Sequence, residues 1–170
     1  MSTIATDGIT IAGDGLGATD GGIIMARSLR KIEGYPGRIY AFAGMTRSMR
    51  PVIDWHRNGA IAEKYPVKPD DESATLLVLT AKSAILYSDS PLGELCEFPM
   101  AIGNGKSIAM AALLLGHSPR EAIELASRLD VWTGGEIQVV RLADYLGDAP
   151  GKEVLNGHHP EGHRSPAPVS

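Results

Sequence analysis

Apolar residues in this chain come in short, β-branched runs broken by glycine, and helical spacing is confined to a few stretches. Ser2 to Thr6 and Ile9 to Ala12 read as two strands around Asp7-Gly8, a dipeptide suited to the positive φ of a tight hairpin turn. Gly13 to Gly22 is a glycine-rich loop. Ile23 to Ile32 reads as a strand, and Glu33-Gly34-Tyr35-Pro36-Gly37 turns it into another at Arg38 to Ala43, so four strands are expected before any helix. Thr46 to Ala62 carries helical spacing, with Thr46 as N-cap and Met49, Ile53 and His56 or Ile61 toward one face. Lys64 to Asp71, with Pro66 and Pro69, is a connector. Ala74 to Thr80, Ser83 to Ser88 and Leu95 to Ile102 form a second strand group. Gly105 to Gly116 and Pro119 to Leu129 follow as helices, the latter with Ser118 at the N-cap and Pro119 at the first helical position. Glu136 to Leu142 is a closing strand.

Strands and helices therefore arrive in blocks, which favours α+β layers over a doubly wound sheet. The pattern stops near Gly147. Residues 1–146 read as one domain, and residues 147–170, with His158-His159-Pro160-Glu161-Gly162-His163, as a solvated, disordered tail.

Composition narrows the function. The 170 residues are 44% hydrophobic, enough to bury a substantial core. A net charge of -4 argues against a nucleic-acid partner, which calls for a basic face. The lone Cys96 cannot form an internal disulfide, consistent with a reducing, cytoplasmic setting. No apolar run reaches the ~20 residues that span a bilayer, and the first residues lack the pattern of a signal peptide. A membrane partner is not expected.

Two glycine-rich segments invite a nucleotide-binding reading. Gly13-Asp14-Gly15-Leu16-Gly17-Ala18 fits the loose dinucleotide fingerprint, but Thr19-Asp20-Gly21-Gly22 after it is a poor helix start and no βαβ unit follows. Gly103-Asn104-Gly105-Lys106-Ser107 lies between a strand and a helix, yet Met100 stands where a phosphate loop needs its first glycine. Neither segment is read as a phosphate site, and no cofactor is expected.

The chemistry lies at the start of the chain. If Met1 is removed, Ser2 carries both a hydroxyl and a free α-amine, whose ordinary pKa of about 7.7–8.0 suits a proton acceptor near neutral pH. One residue then supplies nucleophile and base, provided that a strand holds it rigidly. Beside Ser2-Thr3-Ile4-Ala5 stand Ala12-Gly13-Asp14, Arg30-Lys31-Ile32, Ala41-Phe42-Ala43-Gly44, Gly103-Asn104-Gly105 and Leu129-Asp130-Val131-Trp132-Thr133-Gly134. In this order and near-matching spacing they resemble the proteasome β-type subunits, particularly the bacterial proteasome-like peptidases, over residues 2 to 142.

The resemblance implies a four-layer αββα sandwich of the N-terminal-nucleophile hydrolase type and a peptide-bond hydrolase. By it, Ser2 is the nucleophile, Lys31 the cation beside it, and Asp14 the acid that orients Lys31. Gly44 would give the oxyanion N–H, and Asp130 and Thr133 would hydrogen-bond the terminal amine and Ser2. Phe42 and Thr46, flanking Gly44, are candidates for lining a substrate pocket, and Asn104 for a supporting role. The chain departs from the family pattern at Ser2, where a Thr is usual, at Asn104, where a Ser is usual, and in having no propeptide. The implied partners are unfolded polypeptide, further copies of the chain in stacked rings, and an ATP-dependent unfoldase. The alternatives are a non-catalytic ring-forming protein on the same fold and an amidase acting on small molecules.

Overall fold

The computed structural model of the chain describes residues 2–19, 21–66 and 73–147. The expected C-terminal tail with its histidines and most of the proline connector lie outside the described residues. Six strands precede the first helix: β1 (Thr3–Thr6), β2 (Thr10–Gly13), β3 (Gly17–Ala18), β4 (Ile24–Ala26), β5 (Ile32–Tyr35) and β6 (Arg38–Gly44). Helix α1 (Thr46–Arg57) follows, then β7 (Ala74–Thr80), β8 (Ala84–Ser88), β9 (Glu94–Cys96) and β10 (Met100–Gly103). Helices α2 (Lys106–Leu114) and α3 (Pro119–Leu129) lead to β11 (Gln138–Arg141). One antiparallel sheet has the order β10-β1-β2-β11, a second the order β5-β6-β7-β8-β9, and β3 pairs with β4 alone.

The long strands are buried on both faces, so they read as nearly continuous apolar runs. In β6, Ile39, Ala41 and Ala43 point to the other sheet, whereas Tyr40 and Phe42 point to α1. In β1, Ile4 joins that same inter-sheet core, and Ala5 turns to α2 and α3. The inter-sheet core draws Ile4, Ile11 and Ile102 from the first sheet against Ile32, Ile39, Leu77 and Leu79 of the second. Under α2 and α3 the contact residues are small: Ala5, Ala12, Ala109, Ala112, Ala122 and Ala126. Alanine on both surfaces lets the helices lie close over β1 and β2, which seats the loop before α2 directly on the start of β1.

Several sequence expectations need correction. The single strand expected over 23–32 is broken after β4, because the chain there bonds elsewhere: the Arg27 carbonyl accepts from Glu136 N–H at 2.6 Å, and Leu29 N–H donates to the Gly15 carbonyl at 2.9 Å. The strand expected over 95–102 is split into β9 and β10 around Pro99, which has no N–H to give a ladder. Thr46 is not the N-cap of α1. Met45 is, with extended backbone and no side-chain cap, and its N–H is bound to the Ser73 carbonyl at 3.1 Å. The buried face of α1 is Ser48, Val52, Ile53 and Trp55, and Ile61 lies beyond the helix, exposed. Ser118 caps α3 as expected, with a reciprocal bond between Ser118 and Glu121 and Pro119 in the first turn.

Among the described residues, no helix is long and apolar enough to cross a membrane.

Candidate active site

Strand β1 places Ser2 just ahead of its first residue, between the two sheets and beneath the loop preceding α2. Ser2 is buried, as are the polar residues Thr3, Asp14, Lys31 and Thr133. The Ser2 carbonyl is anchored by the Asn104 N–H at 2.8 Å. That approach requires Gly103: its φ is +93°, and a Cβ there would lie 1.8 Å from the Ser2 carbonyl oxygen. Any side chain at position 103 would push β1 and β10 apart. The side chain of Asn104 itself is exposed, so the structure gives this residue a backbone contact with Ser2.

Asp14 follows the end of β2 and is 1% exposed. Lys31, immediately before β5 and 3% exposed, donates its Nζ to Asp14 Oδ1 at 2.8 Å and to the Leu16 carbonyl at 2.8 Å. Asp14 is tied down independently by three backbone N–H groups: Thr3 at 2.7 Å to Oδ1, and Leu16 and Gly134 at 3.2 Å to Oδ2. This donor set stabilises a buried carboxylate. Burial pushes the Lys31 ammonium below its ordinary value, and the ion pair with Asp14 pulls part of that shift back. A lysine held this way is a fixed cation that exchanges a proton more readily than a surface lysine.

Gln138 completes the seat of Lys31. Its Oε1 accepts from the N–H groups of Lys31 and Ile32, both at 3.2 Å, and its Nε2 donates to the Ile32 carbonyl at 2.7 Å. This side chain from β11 thus fixes the start of β5 against the other sheet. Neither Gln138 nor the Leu16 carbonyl is visible as a site element in the sequence, because both act through contacts made only when the sheets stack.

On the opposite side of β1, the Gly105 N–H donates to Thr3 Oγ1 at 2.9 Å, and Thr3 Oγ1 shares a 2.5 Å hydrogen bond with Thr133 Oγ1. Thr133 Oγ1 donates in turn to Asp130 Oδ2 at 2.5 Å. Asp130 and Thr133 therefore meet the start of the chain through Thr3, a residue to which the motifs assign no role. A signal for it does exist in the sequence: in a strand, Ser2 and Thr3 must point to opposite faces, so two hydroxyl residues in succession serve two surroundings.

Gly44 ends β6 with φ +134°, a backbone region open to glycine, and a Cβ there would lie 2.2 Å from the Ser73 carbonyl oxygen. Of its sequence neighbours, Phe42 is buried in the core under α1, and Thr46 is exposed in the first turn of that helix.

By sequence, no family model and no curated protein matches this chain. Solved structures do match in shape. A eukaryotic HslV from Trypanosoma brucei superposes with a TM-score of 0.63 at 18% identity, covering 83% of this chain and 99% of its own. The BPH protein of Thiobacillus denitrificans matches in a complex with epoxomicin (TM-score 0.59, 16% identity) and without it (0.57, 19%). These matches cover 83% of this chain, and 98% and 97% of the respective BPH chains. At such identities the likeness is one of fold: the chain shares the fold of these HslV and BPH structures.

Proposed function

We propose that this protein is a self-compartmentalising peptidase of the proteasome type, with the four-layer αββα sandwich of N-terminal-nucleophile hydrolases and Ser2 as its nucleophile. The reaction requires Met1 to be removed. Ser2 Oγ then attacks the carbonyl carbon of a peptide bond while the Ser2 α-amine takes the hydroxyl proton. The oxyanion that forms accepts a hydrogen bond from the Gly44 N–H, a kind of contact worth about 3 kcal/mol in other hydrolases. Collapse breaks the C–N bond, and the amine passes its proton to the leaving nitrogen. Water then attacks the resulting ester, giving its proton to the α-amine, and releases the acid and free Ser2.

Lys31 acts as the fixed cation beside this chemistry, favouring the less protonated forms of the Ser2 amine and hydroxyl. Asp14 holds it in place. The observation that carries this reading is the buried Asp14–Lys31 pair, bound to β1 through the Thr3 N–H one residue from the nucleophile. A shell protein without catalysis has no need of a lysine whose burial costs this much. The resemblance extends the proposal to stacked rings of this chain and to an unfoldase that feeds them unfolded polypeptide.

The test is hydrolysis of an unfolded protein and of a fluorogenic peptide library by the native chain and by Ser2→Ala. Cleavage that vanishes in Ser2→Ala, with the thermal midpoint retained, supports the reading. Turnover of small amides alone would move the protein to the amidase class.

A further inference from the structure

Thr3 is a residue whose side chain the proposed mechanism does not use, yet its N–H, its carbonyl and its hydroxyl are all hydrogen-bonded within the site. It is fully buried. Its backbone faces Asp14: the N–H donates to Oδ1 at 2.7 Å, and the carbonyl accepts from the Asp14 N–H at 3.1 Å. Its hydroxyl faces Gly105 and Thr133.

The hydroxyl protons can be ordered from the chemistry of the partners. An ionised Asp130 only accepts, so the Thr133 proton goes to Asp130 Oδ2. The Thr133 oxygen is then the acceptor for the Thr3 hydroxyl. The Thr3 oxygen, having spent its proton, accepts the Gly105 N–H. The chain runs one way, from amide to Thr3 to Thr133 to carboxylate, and both hydroxyls are donor and acceptor at once. Hydrogen bonds in such a series polarise one another.

Packing does not account for this arrangement. Valine has the shape of threonine and would fill the same space, so the packing needs no hydroxyl at either position; what needs them are the Gly105 N–H and the Asp130 carboxylate at the two ends of the chain. What the pair provides is direction. Thr3 is gripped through its backbone by Asp14 and through its side chain by the Asp130–Thr133 arm, and Ser2 is its neighbour.

We propose that Thr3 is the positioning residue of the site, whose hydroxyl chain to Asp130 fixes the orientation of Ser2. The proposal rests on the reading of Ser2 as nucleophile. Misorientation of a reacting group by an ångström can cost about 100-fold in rate.

The experiment measures kcat, KM and thermal midpoint for the native protein, Thr3→Val, Thr133→Val, the double variant and Thr3→Ser, using a peptide that the native protein cleaves. Thr3→Val should lower kcat about 10- to 100-fold with KM changed less than about twofold. Thr133→Val should do the same, and the double variant should be no worse than the poorer single one, because both break one chain. Thr3→Ser, which restores the hydroxyl without the methyl, should recover most of the lost rate. Native kcat in the double variant overturns the proposal, as does a Thr3→Ser variant as slow as Thr3→Val. If Thr3→Val does not fold, the comparison of Thr133→Val with Thr3→Ser decides on the same terms. A native protein that cleaves no peptide and takes no acyl label overturns the nucleophile reading itself, a different result from active enzyme with unaffected valine variants.

Discussion

The Thr3 N–H donates to Asp14 Oδ1 at 2.7 Å, the same oxygen that receives Lys31 Nζ at 2.8 Å. One carboxylate oxygen thereby joins the first strand to the buried cation. The two partners do not carry equal numbers of contacts: Asp14 accepts from three backbone N–H groups as well as from Lys31, so its removal takes the acceptor from all of them at once. Asp14→Ala should therefore destabilise the fold by about 3–5 kcal/mol, the usual cost of breaking a buried ion pair from one side. Lys31→Met should cost clearly less, since the carboxylate keeps its amides. Both should abolish peptide hydrolysis. Denaturant unfolding of the two variants, with activity measured on the folded fraction, checks the asymmetry.

Gly44→Ala tests the turn that ends β6. The substitution must place a Cβ at φ +134° and 2.2 Å from the Ser73 carbonyl oxygen. The backbone conformation alone costs a non-glycine residue on the order of 1–3 kcal/mol, and relief of the clash has to move β7. The expected outcome is loss of activity together with a lowered thermal midpoint. An alanine variant with native stability and rate would show that the turn accepts a side chain, against the φ of +134° and the close Ser73 carbonyl.

His56 gives the fold a pH dependence separate from catalysis. It is half-buried on α1 against the rings of Tyr40, Trp55 and Tyr87, with Tyr40 Oη 3.2 Å from its Nδ1. Burial, and then the nearby charge of Arg38, hold its pKa below the ordinary 6.5. Between the lowered value and 6.5 the unfolded chain binds the proton more readily than the folded one. Stability is therefore full above 6.5 and is lost as pH falls through that window. A thermal midpoint recorded against pH should fall there for the native protein and fall less for His56→Gln.

Ser118→Ala should lower stability by about 1 kcal/mol through loss of the capping box on α3. Activity should be unchanged, which makes it a control for variants that lose rate and stability together. Urea unfolding with peptide hydrolysis on the same samples measures both.

Local chemistry makes most strands, the α3 cap and the order of the site motifs legible in the sequence. The breaks are not legible there. Nothing in Arg27 to Lys31 announces that this run leaves its sheet, because the bonds that draw it away come from Gly15 and Glu136, far off in sequence. The cap of α1 is hidden for a similar reason: Met45 is placed by Ser73, just ahead of β7, so tertiary contact overrides the preference of Thr46. Within the site, Asp14 and Lys31 can be paired by motif. Thr3 is hinted at by the two successive hydroxyl residues at the start of β1, whereas Gln138 and the backbone donors of Leu16 and Gly134 emerge only when the two sheets and the loop before α2 close over β1.

The central claim is that Ser2, freed from Met1, is a nucleophile with its own amine as base. Intact-mass spectrometry after treatment with a peptidyl epoxyketone tests it most directly, because that reagent presents a ketone to the hydroxyl and an epoxide to the amine of one residue. The account predicts a native chain lacking Met1 that gains the mass of one reagent molecule, and a Ser2→Ala chain that gains none. A native chain that retains Met1 and stays unmodified, or a Ser2→Ala chain modified as fully as the native one, would contradict it.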